Sequence, residues 1–219
     1  MNINSYIEHT SLKPTLTDRD IDQLVEEAVN HSFHGICVPG FWVKKAHREL
    51  NGTSVKLVTI AGFPLGYSLT EVKLREMELA IENGADEIDM VLNLSAFKSG
   101  MNWPKIELAK CSAFCHQNER LLKVILETAY LSDQEIVEAC KICEEAGVDY
   151  VKTSTGFAET GARVEHIELM RASVSPGVGI KAAGGIKTLE QLRAMVAAGA
   201  DRIGTSSGVQ IMKELEKEN

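Results

Sequence analysis

The chain has 219 residues, 44% hydrophobic and 25% charged, with a net charge of −8. That composition excludes a disordered chain, and no apolar run reaches the roughly 20 residues a membrane helix needs. Aromatic residues are only 5% of an acidic chain, so the basic surface with stacking rings that marks a nucleic-acid binder is missing.

Short apolar runs alternate with amphipathic stretches from end to end. The runs are IEHT near Ile7, GICVP (35–39), KLVTIAGFP (56–64), EIDMVLN (87–93), LLKVILE (121–127), YVKTST (150–155), GIKAAGG (179–185) and RIGTSS (202–207). Helix starts are marked between them. Thr17 precedes Asp18 and Asp20, while Ser68-x-x-Glu71, Ser132-x-x-Glu135 and Thr188-x-x-Gln191 have capping-box form. ENGADEIDM, EEAGVDYVK and AAGADRIG each end a helix on glycine (Gly84, Gly147, Gly199) and enter a strand through Asp. No linker or composition break interrupts the pattern, so one domain over 1–219 is expected. Eight strand–helix units of about 27 residues each predict a (β/α)8 TIM barrel. The rival open sheet would be expected to carry G-x-G-x-x-G after an early strand, and the sequence lacks it.

The opening MNINSYIEHTSLKP has no basic or apolar signal segment, and the cysteine count is five. A reducing cytoplasm is therefore the expected setting. Cys111/Cys115 and Cys140/Cys143 fall at helical spacing and read as packing residues.

Barrel strands are covered on the outside by helices, so a charge within one is conspicuous. Asp89, Lys152 and Lys181 are such charges, and period-two alternation turns all three inward, together with Cys37. Neighbouring ammonium groups in a dry site repel, and one of them should be neutral near pH 7. A neutral lysine is a nucleophile for carbonyls, and its Schiff base is an electron sink for making or breaking a C–C bond. That chemistry needs no metal, and the six histidines form no H-x-x-x-H or H-x-H set, so no metal is expected; no cofactor is expected beside the lysine.

Glycine and hydroxyl loops come late. Gly184-Gly185 follows one predicted strand, Gly204-Thr205-Ser206-Ser207-Gly208 follows the last, and Gly156 follows KTST. Such loops let backbone N–H groups approach an oxyanion, and barrels often hold phosphate after strands 7 and 8. A phosphorylated aldehyde or sugar is the expected ligand class. Another lysine aldolase or transaldolase, a phosphosugar isomerase and a non-catalytic barrel are the competing readings.

The segments EHTSLKP (8–14), GICVPGF (35–41), VTIAGFPLG (58–66), GADEIDMVLN (84–93), LKVILET (122–128), GVDYVKTSTGF (147–157), GIKAAGGIKT (179–188) and ADRIGTSSG (200–208) resemble the deoxyribose-phosphate aldolase (DeoC) family, nearly end to end and in family order. The resemblance implies reversible cleavage of 2-deoxy-D-ribose 5-phosphate to acetaldehyde and D-glyceraldehyde 3-phosphate, in deoxyribonucleoside catabolism. It implies Lys152 as the Schiff-base lysine, Lys181 as the lysine that depresses its pKa, and Asp89 as a proton-transfer partner. Thr10, Cys37 and Thr155 match substrate-pocket positions; Gly156, Gly184, Gly185, Gly204, Ser206 and Ser207 match the phosphate cradle. Two departures stand out. Glu8 occupies a position where the family commonly has Asp, and the chain ends KELEKEN without the terminal tyrosine of some members. A homo-oligomer, a dimer first, is expected.

Overall fold

The computed structural model describes residues 2–218. Its strands and helices alternate as β1 (Ile7–Thr10), α1 (Asp18–Asn30), β2 (Gly35–Val38), α2 (Val43–Glu49), β3 (Lys56–Ala61), α3 (Thr70–Glu82), β4 (Glu87–Val91), α4 (Leu94–Lys98), α5 (Trp103–Gln117), β5 (Leu121–Ile125), α6 (Asp133–Glu145), β6 (Tyr150–Lys152), α7 (Val164–Ser173), β7 (Gly179–Ala183), α8 (Leu189–Ala197), β8 (Arg202–Thr205) and α9 (Gly208–Glu218). The strands are all parallel and pair in chain order. β8 pairs back to β1, closing a (β/α)8 barrel.

The local signals explain most boundaries. Thr17, Ser132 and Thr188 each accept a hydrogen bond from the third helical N–H, and the residue there reaches back to the cap. Gly84 and Gly147 take the left-handed conformation expected where helix turns into strand. Ser68 is a correction. α3 begins at Thr70 with Leu69 at the N-cap and no side-chain cap. The helix starts too late for Ser68 to reach it, and the Thr70 hydroxyl instead donates to Glu107, which also binds Lys73 Nζ at 2.6 Å. That fully buried pair ties α3 to α5.

The predicted runs start where the strands start, but several strands end two or three residues earlier. The tails (Leu92–Asn93, Leu126–Glu127, Thr153–Thr155, Gly184–Gly185, Ser206–Ser207) leave the sheet at its C-terminal end and become loops.

Alternation divides the strands into two faces. Ile36, Leu57, Ile88, Met90, Leu122, Val124, Val151, Ile180 and Ile203 belong to the large apolar core between barrel and helices. Cys111, Cys115, Cys140 and Cys143 join that core, and all five cysteines are free and buried. Burial pushes the thiols of Cys111, Cys115 and Cys140 up to about 12. The residues of opposite parity fill the barrel itself. Among the described residues no helix is long and apolar enough to cross a membrane.

Candidate active site

The barrel interior is charged at its centre. Asp89 on β4 is the register partner of Lys123 on β5, and Lys152 on β6 is the partner of Lys181 on β7. Asp89 Oδ2 accepts from both Lys152 Nζ and Lys181 Nζ at 2.7 Å, and Oδ1 accepts from Lys123 Nζ at 3.0 Å. Glu8 on β1 takes a second bond from Lys181, and Glu87 on β4 lies 2.6 Å from Lys123. These six side chains are all essentially buried. Isolated, any one would be strongly unfavourable there, so the pairing is what permits the cluster. Gly204 leaves room for it: a Cβ there would come within 3.2 Å of Lys181 Cε.

The charges do not fall evenly. Burial drives the Lys152 ammonium below its ordinary range; Asp89 opposes this and Lys181 reinforces it. Burial also disfavours the Lys181 and Lys123 ammoniums, but Asp89 and Glu8 outweigh it in both, with Glu87 adding for Lys123, and both end above their ordinary range. Asp89 lies well below the usual carboxylate range, because its three lysines overcome its burial. Of the three amines, Lys152 is therefore the one that gives up its proton most readily.

Lys152 is also the one of the three lysines that reaches open space. A cavity of about 340 Å³ opens at the C-terminal end of the strands, and Lys152 is on its wall with Thr10, Thr155, Gly156, Gly184, Gly185, Gly204 and Ser206. Gly184 packs so tightly on the α7 approach that a Cβ on Gly161 would fall 2.1 Å from the Gly184 oxygen. Two expected contacts stand elsewhere. Cys37 is fully buried and off the cavity wall, its thiol raised to about 11 by burial. Ser207 is also off the wall and donates its N–H to Thr205 Oγ1 at 2.9 Å, just before α9.

Sequence reasoning misses several residues here. Lys123 and Glu87 have the same strand parity as Asp89, and that parity is the signal available. Glu8 departs from the family's usual Asp, yet its carboxylate is in direct contact with Lys181. Lys13 and Lys187 add positive charge to the cavity wall beside the glycines. Glu127 lies behind Thr155 and accepts its N–H and hydroxyl. Glu8, His34 and Glu87 bring ligand-type atoms within 4.8 Å of one another, but Lys123 Nζ already supplies a cation to both carboxylates.

Comparison with known proteins identifies the family. A family model described as DeoC/LacD family aldolase matches residues 4–214. Deoxyribose-phosphate aldolase of Streptococcus gordonii is 50% identical over 213 residues, covering 97% of this chain and 96% of that protein. The Brevibacillus brevis enzyme of the same name is 52% identical over 213 residues, with the same coverage of each chain. Among solved structures, the tetrameric deoxyribose phosphate aldolase of Aeropyrum pernix superposes with a TM-score of 0.92 at 32% identity, covering 99% of this chain and 92% of that one. With a family match over nearly its whole length and relatives at half identity, the chain belongs to the DeoC/LacD family of aldolases.

Proposed function

We propose that this aldolase cleaves 2-deoxy-D-ribose 5-phosphate reversibly to acetaldehyde and D-glyceraldehyde 3-phosphate through a Schiff base on Lys152. One observation carries the assignment of the nucleophile. Of the three lysines gathered around Asp89, only Lys152 lines the cavity, and only Lys152 is shifted toward its neutral form.

Neutral Lys152 Nζ attacks C1 of the open-chain sugar, and loss of water from the carbinolamine gives an iminium. Removal of the C3 hydroxyl proton breaks the C2–C3 bond. The bonding pair passes into the iminium, leaving an enamine and releasing D-glyceraldehyde 3-phosphate. Protonation at C2 and addition of water then free acetaldehyde and regenerate Lys152. Asp89 and Lys181, hydrogen-bonded to each other, serve as the proton-transfer pair, working through water. Gly156, Gly184, Gly185, Gly204 and Ser206 receive the phosphate, with Lys13 and Lys187 as local positive charge on an acidic protein. Ser207 contributes through the start of α9 rather than by lining the cavity.

The same reading has the enzyme acting in the cytoplasm, as one domain, in deoxyribonucleoside breakdown. It also expects a homodimer. Support for assembly comes from exposed Tyr67, Leu69 and Val72 near α3 and Met101, Trp103 and Ile106 near α5, two helices that Trp103 Nε1 links by donating to Thr70 Oγ1 at 3.2 Å. The deciding experiment is borohydride reduction with acetaldehyde followed by peptide mapping. The adduct is expected on Lys152 and absent from Lys152→Ala; an adduct on Lys181 would overturn the assignment.

A further inference from the structure

Glu127 takes no part in the chemistry above, yet it is a buried carboxylate directly behind the cavity wall at Thr155. It follows β5 between Leu126, whose N–H donates to the Lys152 carbonyl at 2.8 Å, and Thr128, whose N–H donates to the Thr153 carbonyl at 2.9 Å. These two bonds continue the β5–β6 pairing beyond the strands. Glu127 spans them in the left-handed region, with φ +51° and ψ +65°. A residue with a Cβ adopts that backbone only where its surroundings fix it.

The side chain supplies the fixing contacts. Both carboxylate oxygens accept from the Thr155 N–H, at 3.3 and 3.2 Å, and Oε2 also accepts from the Thr155 hydroxyl. Thr155 Oγ1 in turn accepts from the Phe157 N–H at 3.1 Å. One carboxylate thus fixes the geometry of residues 155–157. Thr155, Gly156 and Phe157 are all on the cavity wall with Lys152, whereas Glu127 is 3% exposed and off that wall. The Thr155 hydroxyl proton is also committed to Glu127, so Thr155 offers the cavity its shape and a lone pair rather than a donor.

We propose that Glu127 is a positioning residue: it sets the 155–157 turn, and through that turn the affinity for the phosphorylated substrate, without touching substrate or the reacting carbon. The inference rests on the aldolase reading only for the identity of the molecule in the cavity.

Three variants separate reach, charge and backbone. Glu127→Gln keeps the reach and an acceptor. Glu127→Asp keeps the charge and tolerates the left-handed backbone, but is one methylene short. Glu127→Gly suits the backbone and removes the carboxylate. In each, kcat and KM for 2-deoxyribose 5-phosphate are measured alongside borohydride trapping of acetaldehyde on Lys152. Glu127→Gly and Glu127→Asp are expected to raise KM about tenfold, the effect of losing a hydrogen bond to a charged group, with acetaldehyde trapping near that of the parent. Glu127→Gln should recover most of the lost affinity. An unchanged KM in Glu127→Gly overturns the proposal. So does an equal loss of kcat, affinity and trapping in all three variants, or failure of a variant to fold, since either shows a role in the whole barrel rather than in one wall. If the parent itself does not trap acetaldehyde on Lys152, the aldolase reading fails instead. Hydrogen exchange at the Thr155 and Phe157 amides then decides the positioning role: it should be slow in the parent and Glu127→Gln, and faster in Glu127→Gly. Equal rates in parent and Glu127→Gly overturn it.

Discussion

Lys152 and Lys181 are direct register partners on β6 and β7, and a single oxygen, Asp89 Oδ2, accepts a hydrogen bond from each at 2.7 Å. The two amines share an anion but not a fate, because Lys181 has Glu8 as a second partner while Lys152 faces the cavity.

The first prediction follows from that asymmetry. Lys152 lies below its ordinary range of about 10.5, so its neutral, reactive fraction rises with pH through a limb below that value. Lys181→Met removes a positive charge that disfavours the Lys152 ammonium and leaves Asp89 freer to stabilise it. Both effects favour the protonated amine, so the limb should move to higher pH. At any pH below the limb, each unit that the limb moves up lowers the neutral fraction about tenfold. The rate of borohydride trapping against pH checks this; a limb that stays in place or moves to lower pH would show that Lys181 does not tune Lys152.

Lys123 carries a structural prediction. It is fully buried and lies within 3.5 Å of Glu8, 2.6 Å of Glu87 and 3.0 Å of Asp89. Lys123→Met preserves much of the volume but strips three buried carboxylates of a common cation. Breaking a buried pair in this way costs about 3–5 kcal/mol. The midpoint of denaturant unfolding should fall accordingly. A variant as stable as the parent would mean the carboxylates find other partners or protonate without penalty.

The phosphate end offers a test by charge. Lys13 and Lys187 are exposed but line the cavity with Gly184, Gly185 and Ser206. The double variant Lys13→Ala/Lys187→Ala should raise KM for the phosphorylated substrate by roughly three- to tenfold, since exposed charges contribute about 1 kcal/mol or less each. KM of the parent should also rise with ionic strength, and less so in the double variant. Gly185→Asp and Ser206→Glu should weaken binding further by repelling the phosphate. In all of these, acetaldehyde should still be trapped on Lys152.

Much of this architecture is written in local patterns. Gly84, Gly147 and three of the four expected helix caps mark junctions that depend on only a few neighbouring residues, and such signals survive folding unchanged. Ser68 does not cap α3 because the fate of Thr70 is decided by Glu107, 37 residues away and invisible to a local rule. Asp89, Lys152 and Lys181 stand out because strand parity makes a charge conspicuous. Lys123 shares that parity at mid-strand, as the register partner of Asp89, so the same rule reaches it; Glu87 opens β4, where a charge ordinarily reaches solvent, and only barrel closure buries it. Glu127 carries no periodic signal, since its position depends on a left-handed backbone beyond the end of β5.

Acid stability provides the last prediction. The Glu87 carboxyl is buried, which would raise its pKa, but Lys123 and the His34 hydrogen bond bring it down to about 2. Its ordinary value is 4.5. A carboxylate depressed in the folded state stabilises the fold fully above the unfolded value and loses that contribution as pH falls through the folded one. The Glu87 contribution is therefore constant from pH 7 to about 5 and disappears between about 4.5 and 2. Asp89 acts in the same direction, losing its contribution only below its own ordinary value of 3.8, whereas Glu127, raised by burial, acts in the opposite direction. Glu87→Gln isolates one member of the set. It should lower the thermal midpoint at pH 7, because Lys123 loses a partner, and flatten the decline in midpoint between pH 4.5 and 2. Parallel curves for parent and variant across that window would show that the Glu87–Lys123 pair contributes no acid-sensitive stability.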